Sequence, residues 1–225
     1  MSSKKGISSI QLGKQLGIPQ KTAWFLNHRL RESFIQTNPK LLGNIVEIDE
    51  TYVGGKNKNR HWDKKVKGSQ GRSAKDKTPV VGLLQRDGNI RAFVVKDTEA
   101  DTLHKLIHEN ISNDAVVITD SYKSYNGLDK KLKHVVVKHT GKEHYFVVDK
   151  QYHTQNIEGF WSQFKRGILG IYHNISKKHL QRYCEEFSLK YNTRGMTDSQ
   201  RFNNTLENSK GKRLTYKSLR RQPVL

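Results

Sequence analysis

Apolar positions change their spacing several times along this chain, and each change predicts an element. Ile10, Leu12 and Leu16 line one side of a short helix that Ser8 or Ser9 would cap and Gly17 would end. Pro19 suits the first turn of a second helix, QKTAWFLNHRLRESF, on which Ala23, Leu26 and Leu30 share a face. From residue 45 the spacing becomes that of strands. IVEIDETYV is the first, and PVVGLLQRDGNIRAFVVKD predicts a hairpin turning at Asp87 and Gly88. Leu103, Leu106 and Ile107 return to helical spacing within residues 99–111. AVVITD is a continuous apolar run ending in an acid, as expected of a buried strand, and HVVVKH is another short strand. Two further helices are expected over residues 156–168 and 176–191, the second with Leu180, Tyr183, Phe187 and Tyr191 at helical spacing.

Three strands, a helix, two strands and a helix form the order of a ribonuclease-H-like domain. The fold class read from the chain is therefore α/β: a mixed sheet flanked by helices, with a small N-terminal helix-turn-helix-like unit. The expected organisation is a helix-turn-helix-like DNA-binding region over 1–40, a catalytic domain over 41–200 and a basic tail over 201–225. The N-terminal helix pair has two readings: a DNA-reading motif with Lys21 and Thr22 at the start of its second helix, or a packing hairpin. Residues 54–77 hold nine Lys or Arg against two acids, which predicts a mobile basic loop. From Lys210 onward there are six Lys or Arg and no acid, so this stretch is expected to lie loose on the surface or on DNA.

Charge narrows the functional classes. The chain has 225 residues, with 41 Lys and Arg against 21 Asp and Glu, a formal charge of +20. Such a surplus neutralises phosphates, and it makes double-stranded DNA the expected partner over a ribosomal or membrane-surface role. Cys184 is the only cysteine, which rules out a disulfide within the chain and a cysteine-built zinc site. It falls in a helical pattern, where a packing role is expected. No apolar run approaches the ~18 residues of a membrane span. The start, MSSKKGISSIQLG, has no apolar signal core, so an intracellular, cytoplasmic location is expected.

Against that basic background a few acids stand out. Asp49 lies within a strand-like run, Asp120 ends one, and Glu158 opens a helix-like run. The first two are 71 residues apart and the last two 38. Carboxylates gathered by a fold are hard oxygen ligands of the kind Mg²⁺ or Mn²⁺ prefers, and a pair of such ions clamps both oxygens of a phosphodiester displacement. Glu47 shares Asp49's strand face and Glu50 points to the other. Asn156 rivals Glu158 as the third ligand, and His153 is a further ligand or DNA contact. Lys165 is seven residues after Glu158, two helical turns, and so shares its face. Lys56, Lys58, Arg60, Lys123, Lys165 and Arg166 are candidate DNA contacts alongside Lys21 and Thr22. Tyr122 and Tyr125 are candidates for phosphate or base contact.

VEIDETYVGGK, ITDSYKSY and HTQNIEGFWSQFKRGILGIYHNISKKHLQRY together resemble the DDE-type transposases of bacterial insertion sequences. The group most similar is the one whose full-length members carry an N-terminal zinc ribbon, and the resemblance spans residues 8–194. It implies a catalytic triad of Asp49, Asp120 and Glu158 holding two Mg²⁺ or Mn²⁺ ions. It also implies that Lys165 is the basic residue seven positions after the third acid, and that the protein assembles as a homo-oligomer on paired DNA ends. Some members carry Asn at the third acid, which keeps Asn156 open. No pair of cysteines precedes residue 40, so the ribbon is missing from this sequence. The expected activity is metal-dependent cleavage and strand transfer at element ends. The alternatives are a nuclease or resolvase on the same fold, or a non-transposing DNA-binding repressor.

Overall fold

The computed structural model describes residues 3–37, 39–54, 60–68, 76–138, 148 and 151–221. Its contacts divide the chain into two compact units. One comprises Lys40–Gly159, and the other Met1–Pro39 together with Phe160–Leu225.

The Lys40–Gly159 unit is built on a five-stranded sheet. Strand β1 (Ile45–Val53) pairs antiparallel with β2 (Thr78–Gln85) along nearly its whole length. Strand β2 then turns back into β3 (Ile90–Val94). At this turn Asp87, not Gly88, takes the left-handed conformation, with φ 56°. Asp tolerates that region because its short side chain bonds locally. Helix α3 (Ala100–Asn110) crosses over to β4 (Val116–Asp120), which lies parallel to β1, and β5 (Lys133–Val137) lies parallel to β4. The order across the sheet is β3-β2-β1-β4-β5.

Strand alternation sorts the two sheet faces. Val46 and Ile48 of β1, Val81 and Leu83 of β2 and Val117 of β4 join Leu103 and Ile107 of α3 in one buried cluster. Tyr125, Leu128 and Leu132, from the turns between β4 and β5, complete it. The intervening residues, Glu47 and Asp49 among them, face the other way. That face also carries the buried Val80, Leu84 and Ile118. Helix α4 (Gln155–Gly167) begins in this unit, with Ile157 fully buried.

The second unit is helical. Helices α1 (Ser9–Leu16) and α2 (Gln20–Phe34) are the pair expected from the sequence. Ser8 Oγ accepts from Gln11 N at 3.1 Å, and Gly17 closes α1 at φ 65°. A Cβ on Gly13 would stand 2.9 Å from the Ile18 carbonyl, so glycine there lets the chain double back tightly. Pro19 sits one position before the first turn of α2, not in it.

The packing of these two helices departs from the simple apolar stripe. Ile10 and Leu16 are exposed, and Leu30 is 45% exposed. Helix α2 buries Ala23, Asn27, His28, Arg31 and Phe34 instead. The reason lies in α5 (Lys177–Asn192), where Glu186 meets Arg31 Nε at 2.7 Å. Tyr172 Oη and Lys190 Nζ also donate to Glu186, at 2.7 and 2.5 Å, and the Arg31 guanidinium lies 3.9 Å from the Tyr183 ring centroid. A charge so fully partnered can be buried, and it turns α2 away from its leucines.

Phe160, Trp161, Phe164 and Ile168, from α4 and the π-helical turn Ile168–Tyr172, are buried in this unit, with Phe164 against Phe187. Cys184 is buried in α5, and burial raises its thiol pKa, so the packing role holds. Helix α6 (Asp198–Asn208) opens on a capping box in which Thr197 and Gln200 bond reciprocally, a local device that sets where this helix starts. The stretch beyond Lys210, expected to lie loose, is instead anchored. It forms α7 (Tyr216–Arg221), buries Leu214 and Leu219, and stacks Tyr216 edge-on against Phe25.

Candidate active site

Asp49 stands in the middle of β1, directly across from Gly82 of β2. A glycine opposite leaves the sheet face beside the carboxyl without a cross-strand side chain. On its other side, β1 and β4 run parallel with Glu47 level with Ile118. Two residues further along the same register come Asp49 and Asp120, on one face of neighbouring strands. Glu158 lies in the first turn of α4. Burial lifts the Asp49 pKa from 3.8 to about 7, with further contributions from the charges of Glu50, Asp120 and Glu158.

Each of the other two carboxylates has a local tether. Asp120 Oδ1 accepts from Tyr122 N at 3.0 Å. Glu158 Oε1 accepts from Thr154 Oγ1 at 2.9 Å, within the turn that opens α4. Among the described residues no three His, Cys, Asp or Glu side chains converge as a ready metal cage. The donor set nevertheless suits a hard cation. It consists of carboxylates, and it places like charges around a half-buried Asp49, a repulsion that a cation would relieve.

Glu47 proves to be the organiser of this face. It is fully buried and accepts five hydrogen bonds. Arg86 donates from Nη2 at 2.9 Å and Nε at 3.2 Å. Asn156 donates from Nδ2 at 2.8 Å and from its backbone N at 3.1 Å, and Ile157 N donates at 3.1 Å. The carboxylate therefore closes the N-terminus of α4, where exposed N–H groups and the helix dipole favour an anion. This holds the turn bearing Glu158 against β1. The same bond turns the Asn156 amide toward Glu47. His153 joins this cluster, its Nδ1 3.6 Å from Glu47 Oε1. The sequence signal for Glu47 was its shared face with Asp49; for Arg86 it was only a turn position.

Several candidate DNA contacts change meaning. Arg60 is paired with Asp76 at 2.5 Å, so its charge ties the two arms of the 54–77 segment together. Tyr125 is buried and donates to Glu50 Oε2 at 2.8 Å, which makes it core and not a base contact. Tyr122 is half-buried and shares a hydrogen bond with Thr98. Lys123 is exposed just after Asp120. Lys56 and Lys58 lie outside the described residues, as does His139 of the HVVVKH strand. In the helical unit Lys165 and Arg166 occupy the exposed last turn of α4, and Arg166 is bonded back to Ser162 at 3.1 Å. Lys21 and Thr22 are exposed at the start of α2, with Lys21 Nζ 5.5 Å from the Tyr216 ring centroid. Among the described residues no helix is long and apolar enough to cross a membrane.

Comparison with known proteins gives three findings. The family described as ISXO2-like transposase domain matches residues 40–192. An uncharacterized transposase-like protein of Haemophilus influenzae is 29% identical over 104 residues, 46% of this chain and 80% of that protein. Among solved structures, a chain of the simian T-cell lymphotropic virus intasome with PP2A regulatory subunit B56 gamma superposes with a TM-score of 0.41 at 11% identity, covering 95% of this chain and 76% of that one. A chain of the Mos1 transposase paired-end complex gives 0.29 at 11% identity, over 91% and 75%. Superpositions this loose assign no fold by themselves.

Proposed function

The chain belongs to the ISXO2-like transposase domain family, and from that membership we propose that it is a DDE-type DNA transposase that cleaves and joins phosphodiesters at the ends of an insertion sequence. The observation that supports this reading is geometric: the register of the parallel strands β1 and β4 brings Asp49 level with Asp120, and Glu47 of the same face holds the turn that carries Glu158. Asp49, Asp120 and Glu158 would hold Mg²⁺ or Mn²⁺. Bound there, the metal supplies charge neutralisation for the attacking and leaving oxygens. Glu47 and Arg86 hold the start of α4 so that Glu158 stays on the Asp49 face. With the Asn156 amide turned to Glu47, Glu158 is the better third ligand. The sheet order supports reading the fold as ribonuclease-H-like, with three antiparallel strands and then two parallel ones. The excess of cations makes duplex DNA the partner, with element ends and target as its two forms. Assembly as a homo-oligomer on paired ends is part of the same proposal.

The test incubates the full chain with Mg²⁺ and labelled DNA carrying the element's ends, then resolves nicked and joined products. The wild type is expected to give both. Asp49→Asn and Asp120→Asn are expected to lose at least roughly a hundredfold in cleavage, more than a lost supporting partner of a metal ligand typically costs, while binding DNA almost unchanged. Wild-type cleavage in either variant sinks the assignment. Nicked products without joined ones would make the protein a nuclease.

A further inference from the structure

The 54–77 segment links β1 to β2, and its described middle presents an unusual surface. Residues 60–68 read RHWDKKVKG. Within them Trp62, on the 3₁₀ turn Trp62–Lys64, is 85% exposed. An indole so fully in water is rare, because this side chain has more apolar surface to hide than any other. His61, Lys64, Lys65 and Lys67 beside it are exposed as well. The ring is isolated; no large exposed apolar side chain flanks it within residues 60–68. The turn is also anchored. Arg60 pairs with Asp76 across the two arms of the segment, two residues before the indole.

Position matters as much as exposure. Val53 pairs with Thr78, so the segment leaves and re-enters the sheet at the C-terminal end of β1. Strand β4 runs parallel to β1 and ends in Asp120, so that end is also the one toward which Asp120 lies. Asp49 is four residues from Val53, about 13 Å along a strand. Through the Arg60–Asp76 pair, two residues from Thr78, the turn is tied to that same end of β1 and β2.

The geometry points to Trp62 as a stacking platform for an unpaired base of the DNA next to the site of cleavage. This rests on the transposase reading and adds a ligand to it: a single-stranded nucleotide, not the duplex. A flat π-face with exposed lysines beside it in the chain matches a nucleobase on its phosphate chain. A protein partner would call for a contiguous apolar patch, which this turn lacks. In a duplex both faces of each internal base are covered by its neighbours, and at a blunt end the one open face belongs to a base held in its pair, so an unpaired base is the one that can turn onto the indole.

The experiment uses the full chain and two DNAs of equal charge, a blunt duplex and a duplex with a short thymine overhang. The chain has three tryptophans, at 24, 62 and 161, and Trp161 is buried. Indole fluorescence should be quenched by the overhang and much less by the blunt duplex, and Trp62→Phe should remove most of that difference. Trp62→Ala should weaken overhang binding roughly 5- to 100-fold, the range of one base–aromatic stack, and blunt-duplex binding less than about twofold. Trp62→Phe should keep most of the overhang affinity, since it retains a ring. Equal loss on both DNAs, or no loss on either, overturns the proposal while leaving the transposase reading intact. If the wild type binds neither DNA, both fall. Trp62→Ala is expected to keep the wild-type circular dichroism spectrum, because the side chain packs against little.

Discussion

Asp49 and His28 are both titratable groups taken out of water, and burial moves them in opposite directions. The carboxyl rises to about 7, and the imidazole falls from 6.5 to about 2. His28 is pushed down first by burial, then by the charges of Arg31, His179 and Arg182, with Glu186 opposing. The unfolded chain therefore takes up a proton below pH 6.5 that the folded chain refuses. Stability is full above 6.5 and declines as the pH falls toward 2. Between pH 7.5 and 5 the loss from this one group is about 2 kcal/mol. Urea midpoints measured at both pH values should show it, and His28→Phe should flatten the difference; an unchanged slope in that variant would assign the effect elsewhere. None of this was legible in the sequence. An apolar stripe through Ala23, Leu26 and Leu30 is the natural reading of α2, and only the distant partner Glu186 allows Arg31 and His28 to be buried. The place of Asp49 inside a strand, by contrast, was legible from the run IVEIDETYV.

At the scale of elements, local signals carried well and long-range ones did not. The caps of α1, the hairpin at Asp87, the helices around Leu103 and Phe164 and the buried strand VVIT all follow from spacing and turn residues. What spacing cannot convey is which element a side chain reaches across to. The hold of Glu47 on the N-terminus of α4 spans 110 residues, and the burial of the tail through Leu214 and Leu219 depends on surfaces far away in the chain. The two readings of the N-terminal pair are separated by one experiment. Lys21 and Thr22 are exposed at the start of α2, as groove reading requires, while further along the helix Arg31 is paired with Glu186 of α5. Replacing both with Ala should reduce the ratio of terminal-repeat to random-DNA affinity, by about 1–3 kcal/mol for each base edge that is no longer read, with general affinity nearly kept. An unchanged ratio and footprint would make the pair a packing hairpin.

For the whole molecule the dominant fact is charge. A formal +20 on 225 residues favours any polyphosphate, and counterion release then sets the affinity. With about six phosphate contacts, binding should weaken roughly a thousandfold between 50 and 200 mM salt. A flat salt titration would remove charge as the reason for DNA binding. Exposed lysines such as Lys64, Lys65 and Lys67 are free to contribute to that slope, whereas Arg60, committed to Asp76, should contribute less.

The alternation of β1 also limits how this gene can drift. One face of the strand feeds Val46 and Ile48 into the core, and the other presents Glu47 and Asp49. Losing or gaining one codon inside it would exchange the two sets, driving acids into the apolar core and Val46 and Ile48 onto the carboxylate face. Folding and chemistry would fail together, with no intermediate form in which one survives. Length changes must then accumulate where no such parity exists, and the long run from 54 to 77 is the obvious reservoir. Relatives should differ there in length while keeping the frame of β1 untouched.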